Sequence, residues 1–228
     1  KLNNIEKAAE ELEKLSNQFP DETKYQGYLA DMYLVNNMPE KAFEIYKKIL
    51  EKDPNDPYSH LALYEYYKNK GDKEKAAQEI KQVFENKDFS IDTKMQILLQ
   101  YYAQSESKTE IKQDAYDLSK LLIQTHPDDA KSYTIYGDFL YRDKKLDGAK
   151  ENYLKAIELD SSRFALWSQV MFIESEMQDF NGMLKHSKMA LDLFPNQPLF
   201  YFFYGISNIQ NKTYQEAIDY LELGKDFV

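Results

Sequence analysis

Apolar side chains recur along this chain of 228 residues at intervals of three and four, which is the spacing of amphipathic helices. The stretch from Asp129 to Ser161 shows the pattern most clearly, with two helical segments joined by a short polar turn. The Tyr and Phe residues follow the same helical spacing, and the sequence has no alternating pattern of the kind that predicts strands. The pattern therefore predicts an all-α protein built from antiparallel pairs of helices.

The helical pattern returns with a period of 34 residues. Pro20 and Pro54 are 34 apart, and Pro127, Ser161 and Pro195 are again spaced by 34. A fixed period of this length indicates a repeat architecture, in which each unit buries its apolar face only against its neighbours. With residue 130 as position 1, the clearest unit places small and apolar side chains at Tyr133, Tyr136, Gly137, Leu140, Ala149, Tyr153 and Ala156.

These positions resemble the tetratricopeptide repeat, which has aromatic residues at 4, 11 and 24, Leu-Gly at 7 and 8, Ala at 20 and 27, and Pro at 32. Ser161 departs from this pattern at position 32. The resemblance implies a right-handed superhelical α-solenoid in which the first helices of successive pairs line a concave groove. It divides the chain into full units at 23–56, 57–90, 91–129, 130–163 and 164–197, after a lone second helix in 1–22 and before a nearly complete unit in 198–228.

We interpret residues 1–228 as a single array that begins and ends within a unit, and therefore expect a piece of a longer protein. In the lone helix at the start, Ala8, Leu12 and Leu15 match buried positions of the repeat. From Pro54 to Pro127 the distance is 73 residues, two periods plus five. We place the five extra residues in the turn of the third unit, in 104–109.

Residue types that cap helices mark several boundaries. Asp56 followed by Pro57 predicts an N-cap and a first-turn proline, and Pro39 falls at another helix start. Gly71 and Asp72 predict the turn of the second unit. The ranges 107–110 and 213–216 have the spacing of capping boxes.

Composition narrows the class of partner. The formal net charge of −10 argues against nucleic acid, which requires a basic surface, and disfavours anionic membranes. A run of 18 apolar residues is absent from the sequence, so we expect no insertion into a membrane. The sequence has no cysteine, which excludes disulfides and thiolate chemistry but is as compatible with a bacterial cytoplasm as with a periplasm or cell envelope.

The sequence offers no catalytic or metal-binding motif. His60, His126 and His186 are far apart, and none lies in the paired spacing of a zinc site. Gly-rich phosphate loops and nucleophile elbows are absent from the sequence. We therefore expect neither enzymatic activity nor a cofactor.

The resemblance places function in the concave groove, because positions 2, 5, 9, 12 and 13 of each first helix face it in the family. Several of these positions carry aromatic or aliphatic residues with few polar neighbours, which suits a groove for a peptide or a helix. The alternative is that neighbouring units cover these side chains. The candidate partner-binding residues are Tyr58, Leu61, Glu65, Leu99, Tyr102, Asp138, Tyr141, Arg142, Phe172, Phe202 and Ile206.

Some members of the family bind acidic C-terminal tails of chaperones through Lys at position 5, Asn at position 9 and further basic residues. Position 9 is never Asn in this chain, and position 5 is never Lys: it holds Gly27, Leu61, Met95, Thr134, Ser168 and Phe202. We therefore expect no binding of such tails. The first functional hypothesis is a non-catalytic protein–protein interaction scaffold. The alternative is a regulatory or ligand-sensing repeat region attached to an enzymatic or signalling module outside this sequence.

Overall fold

The computed structural model describes residues 2–104 and 109–227, and within these ranges it contains thirteen helices and no strand, which confirms the all-α prediction. In chain order the helices are α1 (Leu2–Gln18), α2 (Thr23–Val35), α3 (Pro39–Lys52), α4 (Pro57–Lys70), α5 (Lys73–Glu85), α6 (Ile91–Gln104), α7 (Thr109–Thr125), α8 (Ala130–Arg142), α9 (Leu146–Leu159), α10 (Phe164–Glu176), α11 (Phe180–Leu193), α12 (Pro198–Gln210) and α13 (Tyr214–Lys225).

The helices fall into two compact units, unit 1 ending at Lys94 and unit 2 beginning at Met95. Within unit 1, each helix from α1 to α5 packs against the next in the chain, and the same holds from α7 to α13 in unit 2. Helices α2, α4, α6, α8, α10 and α12 begin at residues 23, 57, 91, 130, 164 and 198, the first positions of the repeats drawn from the sequence. The assignment of the whole chain to one array stays a prediction.

Small residues allow the two helices of a pair to approach closely. A Cβ atom on Gly137 would lie 2.8 Å from Cε1 of Tyr153, and one on Gly205 would lie 2.5 Å from Cγ of Leu221. Position 20 of each repeat lies in the second helix of the pair, and its side chain is buried in all six repeats. The residues at this position are Ala42, Ala76, Ala115, Ala149, Met183 and Ala217.

Several predicted helix ends are confirmed. Pro57 is the first residue of α4, and the Asp56 carboxylate accepts a hydrogen bond from the Ser59 backbone N–H at 2.7 Å. Gly71 has φ of 77°, the left-handed conformation that glycine adopts without strain, and ends the same helix. Asp72 then caps α5.

The predicted capping box at 213–216 is wrong. The Thr213 hydroxyl donates a hydrogen bond to Oδ1 of Asn208 at 2.6 Å instead of capping α13. The Glu216 carboxylate accepts a hydrogen bond from the Tyr204 hydroxyl. Partners on the preceding helix α12 thus compete successfully for both groups of the capping motif.

The buried face of α1 also differs from the prediction. Ala8 and Leu15 are exposed, whereas Ala9 is buried and Leu12 packs against the core of unit 1. The cause is that α1 packs against α2, and one neighbouring helix covers only one stripe of its surface.

The third repeat is longer than the others, and part of its extra length lies in its second helix. Helix α7 has 17 residues, against 14 in each of α3, α9 and α11. Residues 105–108, and with them the predicted insertion in the turn and the capping box that begins at Ser107, lie outside the described residues. Along the described ranges, no helix is both long enough and apolar enough to cross a bilayer.

Candidate functional site

An open groove of about 950 Å³ runs along α2 and α4 in unit 1. Its lining includes Tyr58, Leu61 and Glu65, three of the residues predicted from the sequence. The groove thus brings positions 2, 5 and 9 of one repeat together with the same positions of the preceding one. From α2 these are Lys24, Gly27 and Asp31, together with Leu34.

Apolar side chains dominate the accessible wall of this groove. Tyr58 is 69% exposed and Tyr28 is 58% exposed, and both line the groove. The Tyr58 ring packs edge-on against Phe89, with centroids 5.3 Å apart, and the Tyr66 ring stacks on Phe43 at 4.3 Å. These contacts hold the rings while leaving apolar surface open to solvent.

Tyr28 is a groove residue that the sequence analysis missed, because position 6 was not among the positions taken to face the groove. Tyr28 lies four residues after Lys24 and three before Asp31, so all three share one helical face. That spacing is the signal that could have identified it.

The charged residues that line the groove are already paired within the chain. The Lys24 and Lys70 ammonium groups lie 2.8 Å and 2.9 Å from Glu22 and Glu40, and Glu65 lies 3.3 Å from Lys68. The hydrogen bond from Lys70 lowers the pKa of Glu40. These pairs neutralise the charge at the rim.

Two further lining carboxylates serve the fold. Asp56 caps α4, and Asp31 accepts a hydrogen bond from the Tyr46 hydroxyl at 2.6 Å. Burial raises the pKa of Tyr46, and the bond to Asp31 raises it further. The polar groups of the groove are therefore largely occupied by partners in the same unit.

In unit 2, three predicted side chains are exposed: Leu99 by 54%, Phe172 by 47% and Phe202 by 50%. The ring of Phe203 contacts both phenylalanines, at 5.4 Å from Phe172 and 5.5 Å from Phe202. Tyr141 and Ile206 are partly buried. These residues leave apolar surface on α6, α10 and α12.

The remaining predicted residues bond to one another or to the core of unit 2. The Arg142 guanidinium lies 4.3 Å from the centroid of the Tyr102 ring and donates a hydrogen bond to the Tyr102 carbonyl at 2.7 Å. Asp138 accepts a hydrogen bond from the Tyr153 hydroxyl at 2.6 Å. Burial raises the pKa of Asp138, and the bond from Tyr153 only partly opposes this. Whether any of these side chains contacts a partner stays a prediction.

Position 4 of several first helices carries a polar atom that bonds to the preceding loop. His60 Nε2 lies 2.9 Å from the Pro54 carbonyl, Trp167 Nε1 donates to the Ser161 carbonyl at 2.9 Å, and the Tyr201 hydroxyl donates to the Pro195 carbonyl at 2.8 Å. Each acceptor precedes its partner by six residues. This bond, which the repeat pattern did not predict, fixes the entry into these three first helices.

Burial lowers the pKa of His60, but its bonds to Glu79 at 2.6 Å and to the Pro54 carbonyl outweigh burial and leave it raised. A second buried pair joins α10 and α11, where His186 Nδ1 lies 2.7 Å from the fully buried Glu174 carboxylate. Among the described residues, no group of three or more His, Asp or Glu side chains is placed to hold a metal ion. We interpret both histidine pairs as contacts that hold two helices together.

Comparison with known proteins agrees with this architecture. A family model described as "Tetratricopeptide repeat" matches residues 1–57. The human protein O-mannosyl-transferase TMTC3 is 34% identical over 96 residues, which are 42% of this chain and 10% of that protein. The chain therefore spans about a tenth of the length of this curated relative.

Among solved structures, MamA from AMB-1 is similar with a TM-score of 0.52 at 19% identity. The alignment covers 71% of this chain and 85% of the MamA chain. A MamA point mutant aligns with a TM-score of 0.51 at 18% identity, over 77% of this chain and 99% of the mutant chain. At these identities the likeness shows a shared fold. The family model over residues 1–57 and the fold shared with these structures show that the chain is similar to tetratricopeptide-repeat proteins.

Proposed function

We propose that this chain is a non-catalytic protein–protein interaction scaffold that binds a peptide or a helix of a partner protein along its first helices. The observation that carries the proposal is the groove of unit 1, which places exposed Tyr28 and Tyr58 beside Leu61 in about 950 Å³ of open volume. Contiguous apolar surface of this kind usually marks a binding site. Tyrosine rings supply large contact areas while losing little conformational entropy on binding.

The matching face of unit 2 supplies a second candidate contact surface. Leu99, Phe172 and Phe202 expose apolar area there, flanked by Tyr141 and Ile206. Tyr102, Asp138 and Arg142 contribute by holding α6, α8 and α9 in place through the bonds described above. The net charge of −10 supports a protein rather than a nucleic acid as the partner.

A second candidate function is a regulatory or ligand-sensing region attached to an enzymatic or signalling module. The observation that favours it is the match to a tenth of a protein named as an O-mannosyl-transferase. The full reading frame that contains this sequence separates the two candidates. A catalytic module in the same frame, with an activity that changes when these repeats are removed, supports the second.

The first candidate is tested by affinity capture from native lysate followed by quantitative mass spectrometry. The baits are the wild type, Tyr58→Glu for unit 1, and a Tyr141→Glu, Phe172→Glu double variant for unit 2, each with its helicity verified by circular dichroism. Tyr214→Glu is the matched control, because Tyr214 is 58% exposed on α13 and is not part of the predicted site. We expect a partner that the wild type and the control capture and that at least one site variant loses. Identical capture by all four baits contradicts the proposal.

A further inference from the structure

Gly27 lies in the middle of α2 and lines the groove of unit 1. Glycine inside a helix is destabilising relative to alanine, so its presence there requires a reason. At Gly137 and Gly205 the reason is close packing, since a Cβ atom would collide with Tyr153 or Leu221. At Gly27 an added Cβ meets no atom within 4 Å. Packing inside the chain therefore does not explain this glycine.

The missing side chain leaves a notch in the wall of the groove. Tyr28 is the next residue on α2, and Leu61 occupies position 5 of the following repeat, as Gly27 does in its own. Both side chains line the same groove as the notch. Glycine recurs in proteins where another group must approach the backbone closely, and the open space at Gly27 is directed into a groove rather than into the core.

The charges around the notch restrict what can occupy it. Two lysines and three carboxylates line the groove, and each is paired within the chain or caps a helix. A charged side chain entering the groove would have to compete with these pairs and would lose hydration beside apolar rings. An uncharged apolar side chain has neither cost and gains contact with the exposed tyrosines.

We propose that Gly27 determines the specificity of the groove by receiving one bulky uncharged side chain, of the size of Leu, Phe or Trp, from a short segment of a partner protein. This inference rests on the proposed function, since it assumes that the groove of unit 1 binds a peptide. It adds that the bound segment is uncharged where it meets α2 and that the size of residue 27 sets its affinity.

The probe is a phage-displayed library of random peptides of about twelve residues, selected against the wild-type chain. The strongest selected peptide is then synthesised, and its dissociation constant is measured by fluorescence anisotropy. We expect an apolar consensus residue without adjacent charges, and an affinity that changes less than about twofold between about 50 and about 500 mM salt. Selection of acidic peptides whose binding is lost at high salt overturns the inference.

The decisive variants are Gly27→Ala and Gly27→Trp, with Ala77→Trp as the control, because Ala77 is exposed on α5 in the same unit and does not line the groove. We expect about tenfold or greater weakening by Gly27→Trp, an intermediate loss by Gly27→Ala and no change by Ala77→Trp. Replacing the consensus apolar residue of the peptide by alanine should weaken binding to the wild type but not weaken it further in Gly27→Trp. This coupling is a result that a merely misfolded variant would not produce.

Failure of this inference and failure of the proposed function give different results. If Gly27→Trp binds the peptide as the wild type does while Tyr58→Glu does not, the groove is a binding site and the role of Gly27 is overturned. If the library yields no peptide whose binding depends on Tyr58 or on Gly27, the groove of unit 1 is overturned as a peptide site, and the inference with it.

Discussion

The hydroxyl of Tyr153 donates a hydrogen bond of 2.6 Å to the carboxylate of Asp138, which joins the second helix of a repeat to the first. Tyr46 and Asp31 make the same bond at the same length in unit 1, and both pairs are 15 residues apart. Both carboxylates occupy position 9, which was predicted to face a partner. The bond therefore connects the candidate binding face to the core in these two repeats.

Removal of this bond should destabilise unit 2. Tyr153→Phe deletes the donor of a partly buried hydrogen bond to a carboxyl group, so we expect the free energy of unfolding to fall by about 1.5–3 kcal/mol. Urea unfolding followed by circular dichroism measures the loss. Tyr214→Phe, at an exposed position, is the matched control and should change stability by less than about 0.5 kcal/mol. Equal effects of the two substitutions would show that the bond adds no stability.

The same substitution at two helical glycines should have opposite effects. Gly27→Ala places its methyl group in open space and should stabilise the protein by about 0.5–1 kcal/mol, because alanine is the better helix former. Gly137→Ala places its Cβ 2.8 Å from the fully buried Tyr153 ring and should destabilise by about 1–3 kcal/mol. Thermal and urea unfolding of the two variants measure the difference. Effects of the same sign would contradict the packing described at one of the sites.

Residues with positive φ in the turns between helices offer a third test. Lys212 has φ of 62° and Asn37 has φ of 59°, whereas the equivalent turn of α4 uses Gly71. A lysine in the left-handed region is strained, while asparagine tolerates it. Lys212→Gly should therefore raise the free energy of unfolding by about 0.5–1 kcal/mol, and Asn37→Gly should raise it less. Chemical unfolding of both variants measures these changes. A larger gain in the free energy of unfolding for Asn37→Gly than for Lys212→Gly would contradict the backbone strain inferred at Lys212.

Lys94 should make stability depend on pH. Its side chain is fully buried, its ammonium group donates to the carbonyls of Asn86 and Phe84 at 2.6 and 3.2 Å, and burial lowers its pKa to about 8. Between that value and the ordinary 10.5, the unfolded chain binds more protons than the folded protein. The contribution of Lys94 to stability therefore rises as pH increases from about 8 towards 10.5.

The measurement compares urea unfolding of the wild type and Lys94→Met at several pH values from about 7 to about 10. The difference between the two removes the contributions of the tyrosines, which both proteins share. Above about pH 8, the free energy of unfolding of the wild type should increase relative to that of Lys94→Met by at most about 1.4 kcal/mol per pH unit. A difference that is flat with pH would mean that Lys94 keeps an ordinary pKa in the folded protein.

Local sequence signals predicted the helices and several of their ends because the interactions that form them are short in range. Asp56 before Pro57 and Gly71 before Asp72 act within one helical turn, and the structure confirms both boundaries. The signal at Thr213 failed because Asn208, one helix earlier, offers its hydroxyl a competing acceptor. A capping motif read from the sequence does not include partners that the fold supplies.

The candidate site was predictable only in part. Positions 2, 5 and 9 of the repeat identified Tyr58, Leu61 and Glu65, which line one groove in the structure. The sequence could not distinguish Phe172, which exposes its ring, from Arg142, whose guanidinium lies over Tyr102. Both occupy first-helix positions expected to face outward, and the difference arises from which neighbouring helix supplies a partner.

The sequence by itself determined the all-α class, the period of 34 residues and the face of each helix that carries small and apolar residues. These properties follow from hydrophobic spacing and helix geometry, which act along the chain. Only the tertiary structure decided that Asp31 and Asp138 bond to tyrosines, that Lys94 is buried and that Gly27 opens into a groove. Each of these depends on side chains from another helix, or on their absence, because packing joins residues that the sequence keeps apart.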